Sequence, residues 1–99
     1  MRLSQRDLNL IRDCAKSTVE VKYSLRLFGS RLDDNSKGGD IDLLLKVEES
    51  VPNAASLAAK LSARITRATD GMKVDVVIMA PGLMELPIHR VAMEEGVLL

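Results

Sequence analysis

The spacing of apolar residues predicts helices over residues 4–17, 53–69 and 86–95. Ser4 and Asn53 suit the N-cap positions of the first two, and Pro87 suits the first turn of the third. Apolar side chains that recur every three or four residues share one helix face, which buries against a neighbouring layer. The predicted buried stripes are Leu8, Ile11, Cys14 and Ala15 in the first helix, Leu57, Leu61, Ile65 and Ala68 in the second, and Ile88, Val91 and Ala92 in the third.

Other segments have the pattern of β-strands. Residues 19–28 alternate between apolar and polar side chains, which predicts a strand with one open face. Residues 41–47 carry apolar side chains at every odd position, and residues 73–79 form a near-continuous apolar run that contains Asp75. Because successive side chains of a strand point to opposite faces, the odd positions of 41–47 are expected to be buried.

The order of these elements predicts an α+β fold. The long helix between the last two strands is long enough to join parallel neighbours. We expect a small mixed three-stranded sheet, with the helices packed on one face and the polar side chains of the strands on the other.

Composition narrows the classes of function. At 99 residues the chain forms a single domain, residues 1–99, and its formal net charge of zero argues against a dedicated nucleic-acid binder. The sequence has no apolar run of the roughly 18 residues that a transmembrane helix needs, so no membrane partner is expected. The single cysteine, Cys14, excludes an internal disulfide and fits a reducing compartment, so the expected location is the cytoplasm.

The segment Gly-Gly-Asp-Ile-Asp-Leu-Leu-Leu carries the clearest chemistry. Asp40 and Asp42 are two residues apart at the start of a strand, so their carboxylates point to the same face. Two like charges placed together favour a cation between them, and hard oxygen ligands suit Mg²⁺. Asp75, inside an apolar strand, is either the partner of a basic residue or a third ligand, and the pair at 40 and 42 favours the ligand.

Gly29 and Ser30 lie where the first strand ends. Gly29 allows a sharp turn or a close approach of the backbone to a ligand. Ser30 suits the N-cap of a short helix over 31–35, and such a helix start is an anion site suited to phosphate. A loop over residues 33–39 then leads to the carboxylates.

Gly-Ser, followed about ten residues later by Gly-Asp-Ile-Asp-Leu, resembles the signature of the nucleotidyltransferase superfamily that includes DNA polymerase beta. The size of the chain makes it most similar to the minimal nucleotidyltransferases, the MNT group, and the resemblance covers nearly the whole chain. The chain departs from many relatives at Gly39, where they have Ser, and at Arg31-Leu32-Asp33, where they have Ala-Arg-Gly.

The resemblance implies a nucleotidyltransferase fold and a role for each matching residue. Gly29 and Ser30 would contact the phosphates of ATP as nucleotide donor, and Asp40, Asp42 and Asp75 would hold two Mg²⁺ and carry out catalysis. It also implies a partner, because stand-alone MNT proteins are commonly paired with HEPN-domain toxins. In such pairs the MNT protein is an antitoxin that transfers AMP to a tyrosine hydroxyl of the toxin.

Two alternatives remain open. One is a non-catalytic module that neutralises a partner by covering it. The other is an enzyme that modifies a small molecule as a homodimer.

Three further residues have weaker signals. Arg26 belongs either to a solvated strand face or to a triphosphate site. Lys37 is interpreted as a loop charge, since the pattern of a phosphate-binding loop is absent around it. His89 lies off the predicted stripe of its helix and is expected at the surface.

Overall fold

The computed structural model describes residues 3–29 and 41–99. Ser30 and Asp40, the predicted short helix at 31–35 and the loop at 33–39 all lie outside these ranges, and so does Lys37. The elements are α1 (Gln5–Thr18), β1 (Tyr23–Phe28), β2 (Ile41–Val47), α2 (Ala54–Ala68), β3 (Val74–Met79), α3 (Pro87–Glu95) and β4 (Val97–Leu98).

The described strands form a four-stranded mixed sheet in the order β3-β2-β1-β4. β1 is antiparallel to both of its neighbours, and β2 is parallel to β3. The predicted α+β class and mixed sheet are confirmed, but the prediction of three strands missed β4. That strand has only two residues, too few for a periodic pattern to reveal.

The main core lies between one face of the sheet and helices α1 and α2. Ile41, Leu43 and Leu45 of β2 are fully buried there, together with Leu61 and Ile65 of α2. Burial of each such side chain stabilises the fold by about 1.5–3 kcal/mol. The predicted inward face of β2 is therefore confirmed, and α2 crosses behind the sheet to connect the parallel strands.

Helix α3 packs on the opposite face of the sheet. Phe28, Leu44 and Ala92 form a second buried cluster, with Val77 and Met93 packed against it. The expectation that all helices share one face is wrong for α3. The side chains of β2 that face α3 are Asp42, Leu44 and Lys46. Leu44 lies between the two charged residues and is fully buried, so it provides the apolar contact on which α3 packs.

The rotation of α3 also differs from the prediction. Ala92 is buried as expected, but Ile88 and Val91 are each 44% exposed, while His89 is only 4% exposed. The predicted apolar stripe of this helix and the surface position of His89 were therefore wrong. The helix turns its histidine toward the sheet, where Nε2 bonds to the Ile78 carbonyl oxygen, and Nδ1 accepts a hydrogen bond from the Leu86 amide at the start of the helix itself.

The N-caps of α1 and α2 are as predicted. The Ser4 hydroxyl accepts a hydrogen bond from the Asp7 amide, and the Asn53 side chain accepts one from the Ser56 amide, each at 3.0 Å. None of the helices in the described ranges is long and apolar enough to cross a membrane.

Side chains cap the free edge of β3, which is an outer strand of the sheet. The Ser62 hydroxyl donates to the Val74 carbonyl oxygen at 2.6 Å. The Ile78 carbonyl oxygen lies 2.9 Å from Nε2 of His89. Two carbonyl groups that have no strand neighbour among the described residues are thus satisfied from α2 and α3.

Candidate functional site

Asp42 and Asp75 are register partners on the parallel strands β2 and β3. Paired residues of adjacent strands point to the same face, and their backbones are about 4.8 Å apart. Asp75 is exposed on the edge strand, and Asp42 is half-buried on the central one. The structure therefore brings together two of the three predicted carboxylates, which are 33 positions apart in the sequence.

Gly29 lies against the side chain of Asp42. A Cβ atom added at Gly29 would collide with Oδ2 of Asp42 and would lie 3.1 Å from its Cγ. The backbone of Gly29 has φ +81°, in the left-handed region that only glycine adopts readily. Glycine is thus required at position 29 for two reasons: the turn after β1 needs a positive φ, and the backbone approaches the carboxylate too closely for a Cβ atom.

Gly29, Asp42 and Asp75 consequently line up across the sheet, at the end of β1 and near the starts of β2 and β3. Phe28, the register partner of Asp42, is buried beneath α3 and forms a wall beside this row. We refer to Gly29, Asp42 and Asp75 as the carboxylate row. Of its two carboxylates, Asp42 is half-buried and Asp75 is exposed, and the backbone turn at Gly29 closely approaches Asp42.

The other predicted site residues, Ser30 and Asp40, are outside the described ranges, so neither is placed relative to the row. Within residues 3–29 and 41–99 no group of three or more His, Cys, Asp or Glu side chains is arranged to hold a metal ion. The described part of the site therefore offers two carboxylates as possible ligands. Its donor set fits Mg²⁺, which usually takes one or two protein carboxylates and keeps several waters.

Arg26 shares the face of the carboxylate row, because it pairs with Leu44. Its guanidinium donates to the Ser24 hydroxyl at 3.3 Å. Ser24 lies further from Asp42 along β1, so this contact draws the guanidinium away from the carboxylates. The geometry favours the interpretation of Arg26 as part of the strand face.

A cavity of about 340 Å³ opens at the other end of β2 and β3, and its lining includes Lys46, Glu48, Met79 and His89. Lys46 is four residues beyond Asp42, which corresponds to roughly 13 Å along a strand. The buried cluster under α3 occupies the sheet face between them. The cavity is therefore separate from the carboxylate row.

His89 is the buried polar residue that the sequence analysis misplaced. Its Nδ1 accepts a hydrogen bond from the Leu86 amide at 2.8 Å, so Nε2 carries the hydrogen and donates to Ile78. The signal was its place in the first turn after Pro87, where a side chain can reach back to the amide that precedes the helix. Both nitrogens are occupied, so His89 positions α3.

Cys14 lies on the half-buried side of α1, away from the row. Burial raises the pKa of its thiol, and Asp13 raises it further. A raised pKa reduces the thiolate fraction and with it the nucleophilicity. Cys14 is accordingly a packing residue.

Neither the protein-family models nor the curated proteins that were searched contain a match to this chain. Its function is therefore argued from the carboxylate row and the motif around it.

Proposed function

We propose that this protein is a Mg²⁺-dependent nucleotidyltransferase that transfers AMP from ATP to a hydroxyl group. The observation that carries the proposal is the pairing of Asp42 with Asp75 in register, beside a glycine turn that the motif assigns to phosphate binding. Asp40 and Ser30 complete the proposed site on the basis of the sequence motif alone.

Electrostatics supports a cation at the row. Asp42 and Asp75 place two carboxylates on one face of neighbouring strands, and like charges this close repel each other. Asp75 lies between apolar residues of an edge strand, where an uncharged residue would serve the fold equally well. A divalent cation between the two carboxylates turns this repulsion into a binding energy.

Each residue of the row has a distinct role in the proposed reaction. Asp42 and Asp75, with Asp40, would hold two Mg²⁺, and the backbone at Gly29 and the hydroxyl of Ser30 would bind the phosphates that leave. When bound, Mg²⁺ neutralises phosphate charge and makes an acceptor hydroxyl more acidic. The acceptor oxygen forms a bond to the α-phosphorus, the bond to pyrophosphate breaks, and a carboxylate oxygen of Asp75 takes the hydroxyl proton.

The acceptor that we propose is a tyrosine hydroxyl of a HEPN-type toxin, with this chain as the antitoxin. The resemblance to the MNT group supports this acceptor. The described residues add one supporting feature, a set of exposed apolar side chains between residues 83 and 98 that suits a protein partner.

The decisive experiment compares variants in AMP transfer. The chain is incubated with labelled ATP, Mg²⁺ and the product of the adjacent gene, and the mass of that product is measured. Asp42→Asn and Asp75→Asn should each reduce transfer by at least a hundredfold. Asp70→Asn is the matched control, because Asp70 is exposed and its positive φ of 58° suits asparagine. Transfer retained by Asp42→Asn would refute the proposed mechanism.

The same exposed apolar side chains also favour a second function, in which the chain neutralises its partner by binding alone. The experiment above separates the two functions. Tight binding without an increase in mass of the partner supports the binding module, and an increase of one AMP supports the transferase.

A further inference from the structure

The large exposed apolar side chains of the described residues are concentrated in one stretch. They all lie within the last 17 residues, before, along and after α3, and they are Leu83, Met84, Leu86, Ile88, Val91, Val97 and Leu98. Their exposed fractions run from 44% to 78%, and Met84 is the most exposed. We refer to the first five, from Leu83 to Val91, as the apolar band. Val97 and Leu98 belong to β4 at the far edge of the sheet, and Val97 shares the face of its partner Leu27, on the side of α1 and α2. Single exposed apolar residues are ordinary, but a concentration of this kind marks an interaction surface.

The band runs along the outer side of α3. His89 and Ala92 turn toward the sheet, so Ile88 and Val91 point away from it. Loop residues that precede α3 extend the band over two shallow apolar clefts. One cleft is lined by Ala54, Ala58, Val76 and Leu86, among others, and the second by Leu86, Pro87, Arg90 and Val91.

The band lies on the same face of the sheet as the proposed active site. α3 covers the same sheet face that carries Asp42 and Asp75, and it packs on Phe28, the register partner of Asp42. A macromolecule seated on the outer side of α3 would therefore lie on the same face of the sheet as the carboxylate row.

Charge indicates what kind of surface fits the band. The charged residues within it and just after it are Glu85, Arg90, Glu94 and Glu95, and all four are exposed. Lys46 and Glu48 line the cavity beside Leu83 and Met84, so the rim has four carboxylates against two cations and is acidic. A second copy of the chain would bring two acidic rims together, whereas a surface with an apolar centre and a Lys- or Arg-rich rim is complementary in both respects.

We propose that the apolar band is the docking surface for the protein that carries the acceptor hydroxyl. That protein binds through an apolar patch of its own that is edged with basic side chains. This inference rests on the proposed function, since it takes the acceptor to be a protein. A patch of about 800 Å² per partner makes a stable interface, and a few central side chains contribute most of the affinity. We expect Val91 and Ile88, at the centre of the band, to contribute most of the affinity here.

Binding of the adjacent gene's product to the intact chain, measured by biolayer interferometry, tests the proposal. Val91→Glu and Ile88→Glu should each weaken binding at least tenfold. Both positions are exposed, so circular dichroism should show an unchanged fold. Ala63→Glu is the matched control, because it adds the same charge at an exposed position of α2, behind the other face of the sheet, and should bind as the wild type does.

Charge reversal tests the basic rim. Glu94→Lys should weaken binding about three- to tenfold, and Arg90→Glu should leave it unchanged or strengthen it. Full binding by Val91→Glu, no binding by the wild type, or a dimer of the chain alone that Val91→Glu dissociates would each overturn the proposal. Asp42→Asn should still bind, so a failure of catalysis and a failure of docking are seen separately.

Discussion

Nε2 of His89 donates a hydrogen bond to the carbonyl oxygen of Ile78, 2.9 Å away, and so ties α3 to the outer strand β3. The other ring nitrogen accepts from the Leu86 amide and organises the start of the same helix. One buried side chain thereby holds the end of a strand and the beginning of a helix together.

Replacing His89 by alanine should therefore lower the free energy of unfolding by about 2–4 kcal/mol. The buried carbonyl group of Ile78 and the part-buried amide of Leu86 would lose their partners, and an unsatisfied buried group costs about 1–3 kcal/mol. Urea denaturation measures the change. Ile88→Ala, at an exposed position of the same helix, should change the free energy of unfolding by less than about 0.5 kcal/mol. Equal effects of the two variants would contradict the assigned role of His89.

A second test uses a pair of glycines. Gly29 and Gly71 both have positive φ, +81° and +90°, but only at Gly29 would an added Cβ meet another group, the carboxylate of Asp42. Gly71→Ala should cost about 1–2 kcal/mol from backbone conformation alone. Gly29→Ala should cost clearly more and should also abolish AMP transfer, because the Asp42 side chain must move. Calorimetry and the transfer assay report the two effects.

If Gly29→Ala were no more destabilising than Gly71→Ala, the close contact between Gly29 and Asp42 would have no effect on the free energy of unfolding. The close approach of the backbone to the carboxylate row would then not be part of the site.

The pairing of Asp42 with Asp75 predicts an effect of Mg²⁺ on stability. Without the metal, Asp75→Asn should leave the free energy of unfolding unchanged or raise it slightly, because Asp75 is exposed and solvent screens its repulsion from Asp42. Saturating Mg²⁺ should stabilise the wild type by about 2.7 kcal/mol at a hundred times Kd, and the variant by much less.

Thermal unfolding in EDTA and in Mg²⁺ measures both effects, with Asp70→Asn as the control that should respond as the wild type does. An identical response of the wild type and Asp75→Asn to Mg²⁺ would remove Asp75 from the metal site, whatever the outcome of the activity assay.

Leu44 provides a test of the second layer. It is fully buried beneath α3, so Leu44→Ala should destabilise the protein by about 2–5 kcal/mol. Hydrogen exchange should accelerate more for the amides of α3 than for those of α1, which packs on the other face of the sheet. Leu83→Ala, at a side chain that is 45% exposed, makes the same chemical change without a cavity and should be nearly neutral.

The sequence predicted those features that local chemistry determines. Ser4 and Asn53 mark the starts of α1 and α2 because a side-chain oxygen next to free amides has one favourable arrangement. The alternation in β2 predicted its buried face because a shift of one residue would bury Asp42 and expose Leu43.

The sequence indicated the wrong orientation for α3, because the more apolar face of this helix is the exposed one. That face carries Ile88 and Val91, and the buried face carries His89 and Ala92. The partners of the His89 ring are backbone groups of Leu86 and Ile78, and a residue pattern does not display backbone groups. The juxtaposition of Asp42 and Asp75 depends similarly on the register of a parallel pair, which the crossover helix and the core determine.

The capped edge of β3 has a consequence for behaviour in concentrated solution. An outer strand with unpaired carbonyl groups is a template on which a strand of another molecule can add, and such growth leads to aggregates. Here the Ser62 hydroxyl and the His89 ring occupy two acceptors that an incoming strand would need. The same two side chains therefore protect the protein from edge-to-edge polymerisation at β3, and loss of both should promote precipitation under conditions in which the wild type stays dissolved.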